Sequence, residues 1–245
     1  MSTQSIALIT GSNRGLGLET AKQLSAQGIK VILAGRDTSQ LNGIIANWKG
    51  ENAPEDLVKL DITNQQDIDA VADYIATKYG HLDILVNNAG IVIEGDWVQN
   101  NSESVSLDEL KTTFDVNLFG QIALTQKLLP LIKKSEQGRI VNVSSILGSL
   151  AVNADTNSDW APVKPFAYNA SKAALNLFTI TLSQALAGTN IKVNSAHPGW
   201  VKTDLGTEHA PMVVEDGAKT IVQLALLDEG ASTGGFYHME ESQPW

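Results

Sequence analysis

A doubly wound α/β fold, with a seven-stranded, mostly parallel sheet and helices on both faces, is the architecture this chain predicts. Three observations carry it. Short apolar, β-branched runs alternate with helical patterns along the chain, as βαβ units require. The runs Ile6-Ala7-Leu8-Ile9 and Ile84-Leu85-Val86 are apolar without interruption, as strands are when helices cover both faces. A glycine-rich stretch from Gly11 to Gly17 stands where the first strand hands over to the first helix. In 245 residues, seven strand candidates and at least six intervening helices leave little chain for a second domain, so residues 1–245 read as one domain without linker or repeat.

The first strand, Ser5 to Thr10, runs into the glycine turn, with a helix expected from near Arg14. Glycines there permit a tight turn and close backbone approach, and the helix N-terminus offers unpaired amides to a pyrophosphate. The spacing is Gly-x3-Gly-x-Gly rather than the commoner Gly-x-Gly-x2-Gly, so its place at the first strand-to-helix junction carries more weight than its pattern. The second strand, Lys30 to Ala34, ends at Gly35-Arg36-Asp37. A carboxylate at that strand end selects the ribose hydroxyl of NAD; Gly35 followed by Arg36 favours the 2′-phosphate of NADP, with Arg14 a second cation across the turn.

Leu57 to Leu60 make the third strand. Asp61, just beyond it, either accepts a hydrogen bond from an adenine amino group or caps the helix that begins near Asn64. The fourth strand, Leu82 to Val86, ends in Asn87-Asn88-Ala89-Gly90, where small residues admit a cofactor and Asn88 is the favoured contact. An irregular stretch from Ile91 to Ser106 precedes a helix carrying Asn117 within TTFDVNLFGQIAL. Helices disfavour internal Asn, so either a kink with an ordered water or a surface position accounts for it. The fifth strand, Arg139 to Val143, delivers Ser144 and Ser145, one of which can donate to a carbonyl oxygen and polarise it for hydride attack, the other satisfying local backbone.

A second irregular stretch, Ile146 to Pro165, leads into YNASKAALNLFTITL, an apolar-periodic helix in which Tyr168 and Lys172 share a face. A cation beside a phenol stabilises the phenolate, so the pair is expected to draw a tyrosine with a reference pKa of about 10 toward neutrality, where it can donate and accept protons. Lys192 to Ser195 form the sixth strand, a loop from Gly199 to Met212 follows, and Gly235 to Tyr237 form the seventh. The three long segments all follow strands, so they emerge at the carboxyl edge of the sheet, where ligands of open α/β folds bind.

Composition narrows the functional classes. A net charge of -10 and a pI near 4.8 argue against nucleic acid or an anionic membrane as partner. Without cysteine there is no disulfide framework, no Cys-ligated zinc and no thiol nucleophile. His81, His197, His209 and His238 lack ligand spacing, so no metal site is expected and the four are read as structural or surface residues. The first apolar run opens at Ser5, leaving no room for a secretory leader, and no later run has the roughly 18 apolar residues of a membrane span, which reads as a cytoplasmic protein.

TGSNRGLG, NNAG, Asn117, NVSS, YNASK and HPGWVKTDL follow one another in the order seen in classical short-chain dehydrogenase/reductases, and the resemblance runs from Ala7 to about Gly235. It implies a Rossmann-type fold and NADP(H)-linked hydride transfer between a small-molecule ketone or aldehyde and its alcohol. Position by position it implies a catalytic tetrad of Asn117, Ser145, Tyr168 and Lys172. Tyr168 would be the acid and base, Ser145 would hold the carbonyl oxygen, Lys172 would bind the nicotinamide ribose and lower the tyrosine pKa, and Asn117 would place a water linking Lys172 to solvent. The cofactor would lie along Gly11, Ser12, Asn13, Arg14, Gly15, Leu16 and Gly17, and meet Arg36, Asp61 and Ile62 at its adenosine end. It would then pass Asn88, Ala89 and Gly90 and finish between Tyr168, Lys172 and the segment bearing Pro198, Gly199, Val201 and Thr203.

Ser145 and Tyr168 stand 23 positions apart, about ten more than the family's common spacing and long for a strand-to-helix connection. Longer insertions at this place mark a carbonyl reductase-like branch, which the ending TGGFYHMEESQPW also resembles. The extra segment, Leu150 to Pro165, is expected to wall the substrate cleft. With it, Trp97, Ile146, Leu147, Trp160, Phe166, Trp200 and Leu205 would form an apolar pocket for bulky ketones and aldehydes. Family members pair through the helices bearing Asn117 and Tyr168, which implies a homodimer or homotetramer, whereas long insertions here can cover that face and leave monomers. One rival reading is a 3-oxoacyl-carrier-protein reductase, against which the acidity and the insertion weigh. A rival of another class is a non-catalytic NADP-binding sensor, a kind of protein that typically loses Tyr or Lys.

Overall fold

Successive side chains of strand β1 (Ile6–Thr10) point to opposite faces of its sheet, and all five residues are buried. In the computed structural model, which describes residues 4–50, 52–54, 56–95, 97, 98 and 101–245, Ile6 and Leu8 enter one apolar cluster while Ala7 and Ile9 enter another. Helices α3 (Gln65–Lys78) and α5 (Gly120–Ile132) contribute Ile68, Val71, Leu124 and Leu128 to the first cluster. Helices α1 (Gly15–Ala26) and α8 (Val214–Ala225) contribute Ala21, Leu24, Ile221 and Leu224 to the second. Cover on both faces is why the strands read as continuous apolar runs.

The other strands are β2 (Lys30–Gly35), β3 (Asp56–Lys59), β4 (Ile84–Asn87), β5 (Arg139–Val143), β6 (Lys192–Ala196), β7 (Phe236–His238) and β8 (Glu241–Ser242). Their order across the sheet is β3-β2-β1-β4-β5-β6-β7-β8, parallel throughout except for the last pair. The order reverses between β1 and β4, and that switch opens a crevice at the carboxyl ends of the strands. Among the described residues eight strands replace the expected seven. The additional one pairs only Tyr237 with Ser242 and His238 with Glu241, and its two exposed polar residues give no apolar run to announce it.

The remaining helices are α2 (Thr38–Ala46), α4 (Leu107–Phe114), α6 (Leu150–Ala154) and α7 (Phe166–Ala185). Part of the stretch expected to be irregular after β5 is ordered: a 3-10 turn over Ile146–Gly148 leads into α6, whose N-cap Ser149 accepts from the Val152 N–H at 3.1 Å. No helix among the described residues is long and apolar enough to cross a membrane.

Candidate active site

A cleft of about 1200 Å³ runs along the carboxyl edge, larger than the roughly 300–1,000 Å³ that holds one small ligand and therefore roomy enough for a dinucleotide with a second molecule. Every residue expected along the cofactor path lines it except Ser12. The Ser12 hydroxyl turns into the fold instead, donating to the Ala34 carbonyl at 3.3 Å and accepting from the Ala34 N–H at 2.8 Å, so it fastens the glycine turn to β2. Gly11 has a φ of +63°, the left-handed region that favours glycine. A Cβ at Gly17 would sit 2.4 Å from the Gly11 oxygen and 2.5 Å from Asn88 Nδ2, so the first turn of α1 closes onto the loop only because nothing projects there. Gly17→Ala is therefore expected to cost about 2 kcal/mol through overpacking. Thermal unfolding should show a loss of several degrees, and cofactor affinity should fall with it.

Beyond the ends of β2 and β3 the cleft is lined by Arg36, Asp61 and Ile62, the residues expected to meet adenosine. Asp61 does not cap α3; Asn64 does, accepting from Gln66 and Asp67. The Asp61 carboxylate accepts from the Thr63 hydroxyl at 2.7 Å and N–H at 3.0 Å, and these bonds, with Arg36 and Lys59 adding charge, hold it below the ordinary carboxylate range against a smaller desolvation effect. Arg14 is ion-paired with Asp204 of the loop after β6, so its charge is shared rather than directed only at a phosphate.

At the switch point the end of β1 grips the loop after β4. Thr10 Oγ1 accepts from the N–H groups of both Asn88 and Ala89 at 2.9 Å. Asn88 Nδ2 donates to the Thr10 carbonyl at 2.7 Å and the Gly11 carbonyl at 3.3 Å, which makes Asn88 a strap for the glycine turn as well as part of the cleft wall. Asn117 is fully buried, which removes the surface alternative, and it lies in a π-helical turn, Asp115–Phe119, joining α4 to α5. Such turns insert one residue into the helical ladder and gather at functional sites. Its side chain accepts from the Ile91 N–H at 2.8 Å and donates to the Ile91 carbonyl at 2.9 Å and to Ser171 Oγ at 3.1 Å. A Cβ on Gly90 would lie 3.4 Å from Asn117 Oδ1 and 3.6 Å from Lys172 Nζ, so that glycine is threaded between the two.

Ser145, Tyr168 and Lys172 meet on one wall of the cleft. Ser145 N-caps the 3-10 turn, its hydroxyl accepting from the Leu147 N–H at 3.2 Å, and it also bonds to the Tyr168 phenol. Ser144 is buried with no hydrogen-bond partner for its hydroxyl among the described residues, so it does not satisfy local backbone as expected. Lys172 Nζ donates to the Val143 carbonyl at 2.7 Å and sits 5.6 Å from the centre of the Tyr168 ring. The expectation of a near-neutral tyrosine needs correction. Burial pushes the phenol up to about 12, opposed by the Ser145 bond, and burial pushes the Lys172 ammonium down to about 8. Both shifts have one cause: a dry pocket disfavours phenolate and ammonium alike. Within the protein alone, desolvation outweighs the i,i+4 pairing.

The cleft beside Tyr168 is largely apolar. Trp97, Ile146, Leu147, Trp160, Trp200 and Leu205 line the cleft, and Trp160 brings the inserted segment into it. The Trp97 ring lies 6.3 Å from the Tyr168 ring, and the Lys164 N–H donates to the Trp97 carbonyl at 2.6 Å, tying the insertion to the loop after β4. Phe166 is the exception: it opens α7, stays 40% exposed and does not line the cleft, because the helix turns its first residue away from the face that carries Tyr168.

Two residues with site roles escaped the sequence reading. His197 lines the cleft; its Nδ1 accepts from the N–H groups of Ile146 and Gly199 at 3.3 Å, and burial, aided by His238, pushes its pKa down to about 3, which keeps it a neutral acceptor joining two loops. Its place in HPGW was the only sign. Glu94 is buried against the start of α7, and nothing in an irregular stretch 74 residues from Tyr168 signals that contact.

This fold and this constellation define an oxidoreductase of a known kind. The chain belongs to the short chain dehydrogenase family, whose profile matches residues 5–214. It is 30% identical to (+)-neomenthol dehydrogenase of Capsicum annuum, with 96% of each chain covered, and 30% identical to carbonyl reductase (NADPH) 1 of Mus musculus, with 100% of this chain and 99% of the other covered. Among solved structures, the NADPH-bound carbonyl reductase from chicken fatty liver superposes with a TM-score of 0.84 at 26% identity over the whole of both chains. Membership implies a nicotinamide cofactor and chemistry on CH–OH or C=O groups, and these relatives support the carbonyl reductase-like branch.

Proposed function

We propose that this chain, acting as a single domain over residues 1–245, is an NADPH-dependent carbonyl reductase that also runs in reverse as an alcohol dehydrogenase, on bulky apolar ketones or aldehydes. The observation that carries the reading is the meeting of Ser145, Tyr168 and Lys172 on a cleft wall that continues directly into Trp97, Trp160 and Trp200. NADPH, when bound along this cleft, would supply the hydride for the carbonyl carbon. Ser145 donates a hydrogen bond to the carbonyl oxygen, and Tyr168 gives that oxygen its proton; in the oxidative direction the phenolate takes it back. The Lys172 ammonium stabilises the phenolate left after each reduction and would hold the nicotinamide ribose. Asn117 fixes the loop before Glu94 and is the residue for placing a water beside Lys172.

The glycine turn suits a pyrophosphate because Gly11 and Gly15 take positive φ and Gly17 lets α1 close on the loop, which leaves the helix N-terminus facing the cleft, and Arg36 and Asp61 would hold the adenosine end. Absence of cysteine accords with a cytoplasmic setting, and the helices bearing Asn117 and Tyr168 are the faces for pairing into a homodimer or homotetramer. The deciding experiment is loss of nicotinamide absorbance with a panel of aryl ketones and both cofactors, with product configuration determined. Tight NADPH binding without turnover of any carbonyl would instead favour a cofactor-binding sensor. If the insertion selects the substrate, Trp160→Ala lowers kcat/KM for a bulky aryl ketone about tenfold, the worth of a lost aromatic contact. A small aldehyde should be affected less than twofold, and equal effects on both would make Trp160 merely structural.

A further inference from the structure

We propose that Glu94 is a positioning residue for Tyr168, holding the first turn of α7 where the phenol meets Ser145; the proposal rests on the acid/base role given to Tyr168 above. Glu94 is 2% exposed, and its carboxylate is bidentate: one oxygen accepts from the Ala167 N–H at 2.8 Å and the other from the Tyr168 N–H at 2.9 Å. The first N–H groups of any helix lack intrahelical partners. α7 has no local remedy, since its N-cap is Pro165, which makes no side-chain cap bond. A carboxylate from a distant loop therefore does the capping, and its negative charge also suits the positive end of the helix.

The contact belongs to a closed ring of hydrogen bonds around the Tyr168 backbone. Asn117 grips both polar backbone groups of Ile91, three residues before Glu94, and also donates to Ser171 Oγ. Ser171 donates in turn to the Tyr168 carbonyl at 2.7 Å, while Glu94 holds the Tyr168 N–H. Both polar groups of the Tyr168 main chain are thus tied to the segment after β4, one through Glu94 and the other through Ser171 and Asn117. The same segment touches the tyrosine ring through Trp97. A buried carboxylate is costly to desolvate, and burial raises its pKa while the two N–H bonds oppose the rise. A neutral cap at residue 165 would serve helix stability alone. The carboxylate instead ties the acid/base residue to the loop that walls the cleft.

The test uses the full-length protein, steady-state reduction of an aryl ketone, NADPH titration and the solvent deuterium isotope effect on kcat. Glu94→Ala is expected to lower kcat about 10- to 100-fold, the effect of an ångström-scale displacement at the reacting centre, with NADPH Kd within about twofold. The isotope effect should rise as proton donation becomes slower. Glu94→Gln keeps the volume and one acceptor oxygen, so its kcat should lie between wild type and Glu94→Ala. If the alanine variant fails to fold, the glutamine variant carries the test through the same lowered kcat, raised isotope effect and unchanged Kd. An unchanged kcat, or a fall in kcat matched by an equal loss of NADPH affinity with no change in isotope effect, overturns the proposal. Full turnover in Tyr168→Phe is a separate result: it removes the acid/base reading itself, whatever Glu94 does.

Discussion

Tyr168→Phe is expected to lower NADPH-linked reduction of every ketone by about a thousandfold, in the middle of the range for loss of a general acid. NADPH affinity should stay within about twofold. The variant removes a single oxygen whose protein partner is Ser145, and the ring keeps its packing against Trp97, so the fold has no reason to change. Stopped-flow or steady-state nicotinamide absorbance measures the first quantity and fluorescence titration the second. Residual turnover above a tenth of wild type would take Tyr168 out of the acid/base role. The pH profile of kcat/KM adds a signed expectation, because it reports groups of the free enzyme. Burial holds the phenol protonated up to about 12, so the proton donor persists across neutral and moderately alkaline pH. Lys172, pushed down to about 8, loses its proton as pH rises through that value. Reduction should therefore decline above about pH 8 through loss of the ammonium that stabilises the nascent phenolate, and Lys172→Arg should move that limb upward.

Arg36→Asp should raise the Kd for NADPH about 100-fold and that for NADH less than threefold. A charge-assisted bond to the 2′-phosphate contributes roughly 1.5–3 kcal/mol, and the substitution replaces attraction with repulsion. Arg36 follows β2 directly, is exposed and lines the cleft, and its charge already reaches Asp61 across the adenosine end. Arg14 is the weaker candidate because Asp204 competes for it, although an exposed ion pair of this kind contributes little and can open. Arg14→Ala is accordingly expected to change NADPH affinity only a few-fold. Equal effects of Arg36→Asp on both cofactors would refute 2′-phosphate recognition.

The fold and its glycine turn were legible because local rules write them into adjacent residues. Continuous apolar runs reported strands covered on both faces, and glycines at the first strand-to-helix junction reported a backbone that nothing must obstruct. Asn117 was legible as an anomaly but not as a solution. Its π-helical turn depends on Ile91 and Ser171, which come from other elements. Phe166 was misplaced because a residue two positions before Tyr168 faces a different direction once the helix phase is set. The last strand carried no signal, being two polar residues long.

What the sequence by itself determined was the order of elements, the edge at which the ligand-binding loops emerge, and the identity of Ser145, Tyr168 and Lys172 as a group, since period and motif order depend only on neighbouring residues. Tertiary structure alone decided the electrostatics and the support. The phenol stands near 12 rather than near neutrality because burial, a property of the whole packed wall, outweighs the neighbour four residues on. Glu94 reaches Tyr168 because the loop after β4 folds back onto α7. Desolvation and long-range hydrogen bonds depend on which surfaces are brought together, and no pattern local to the chain encodes that.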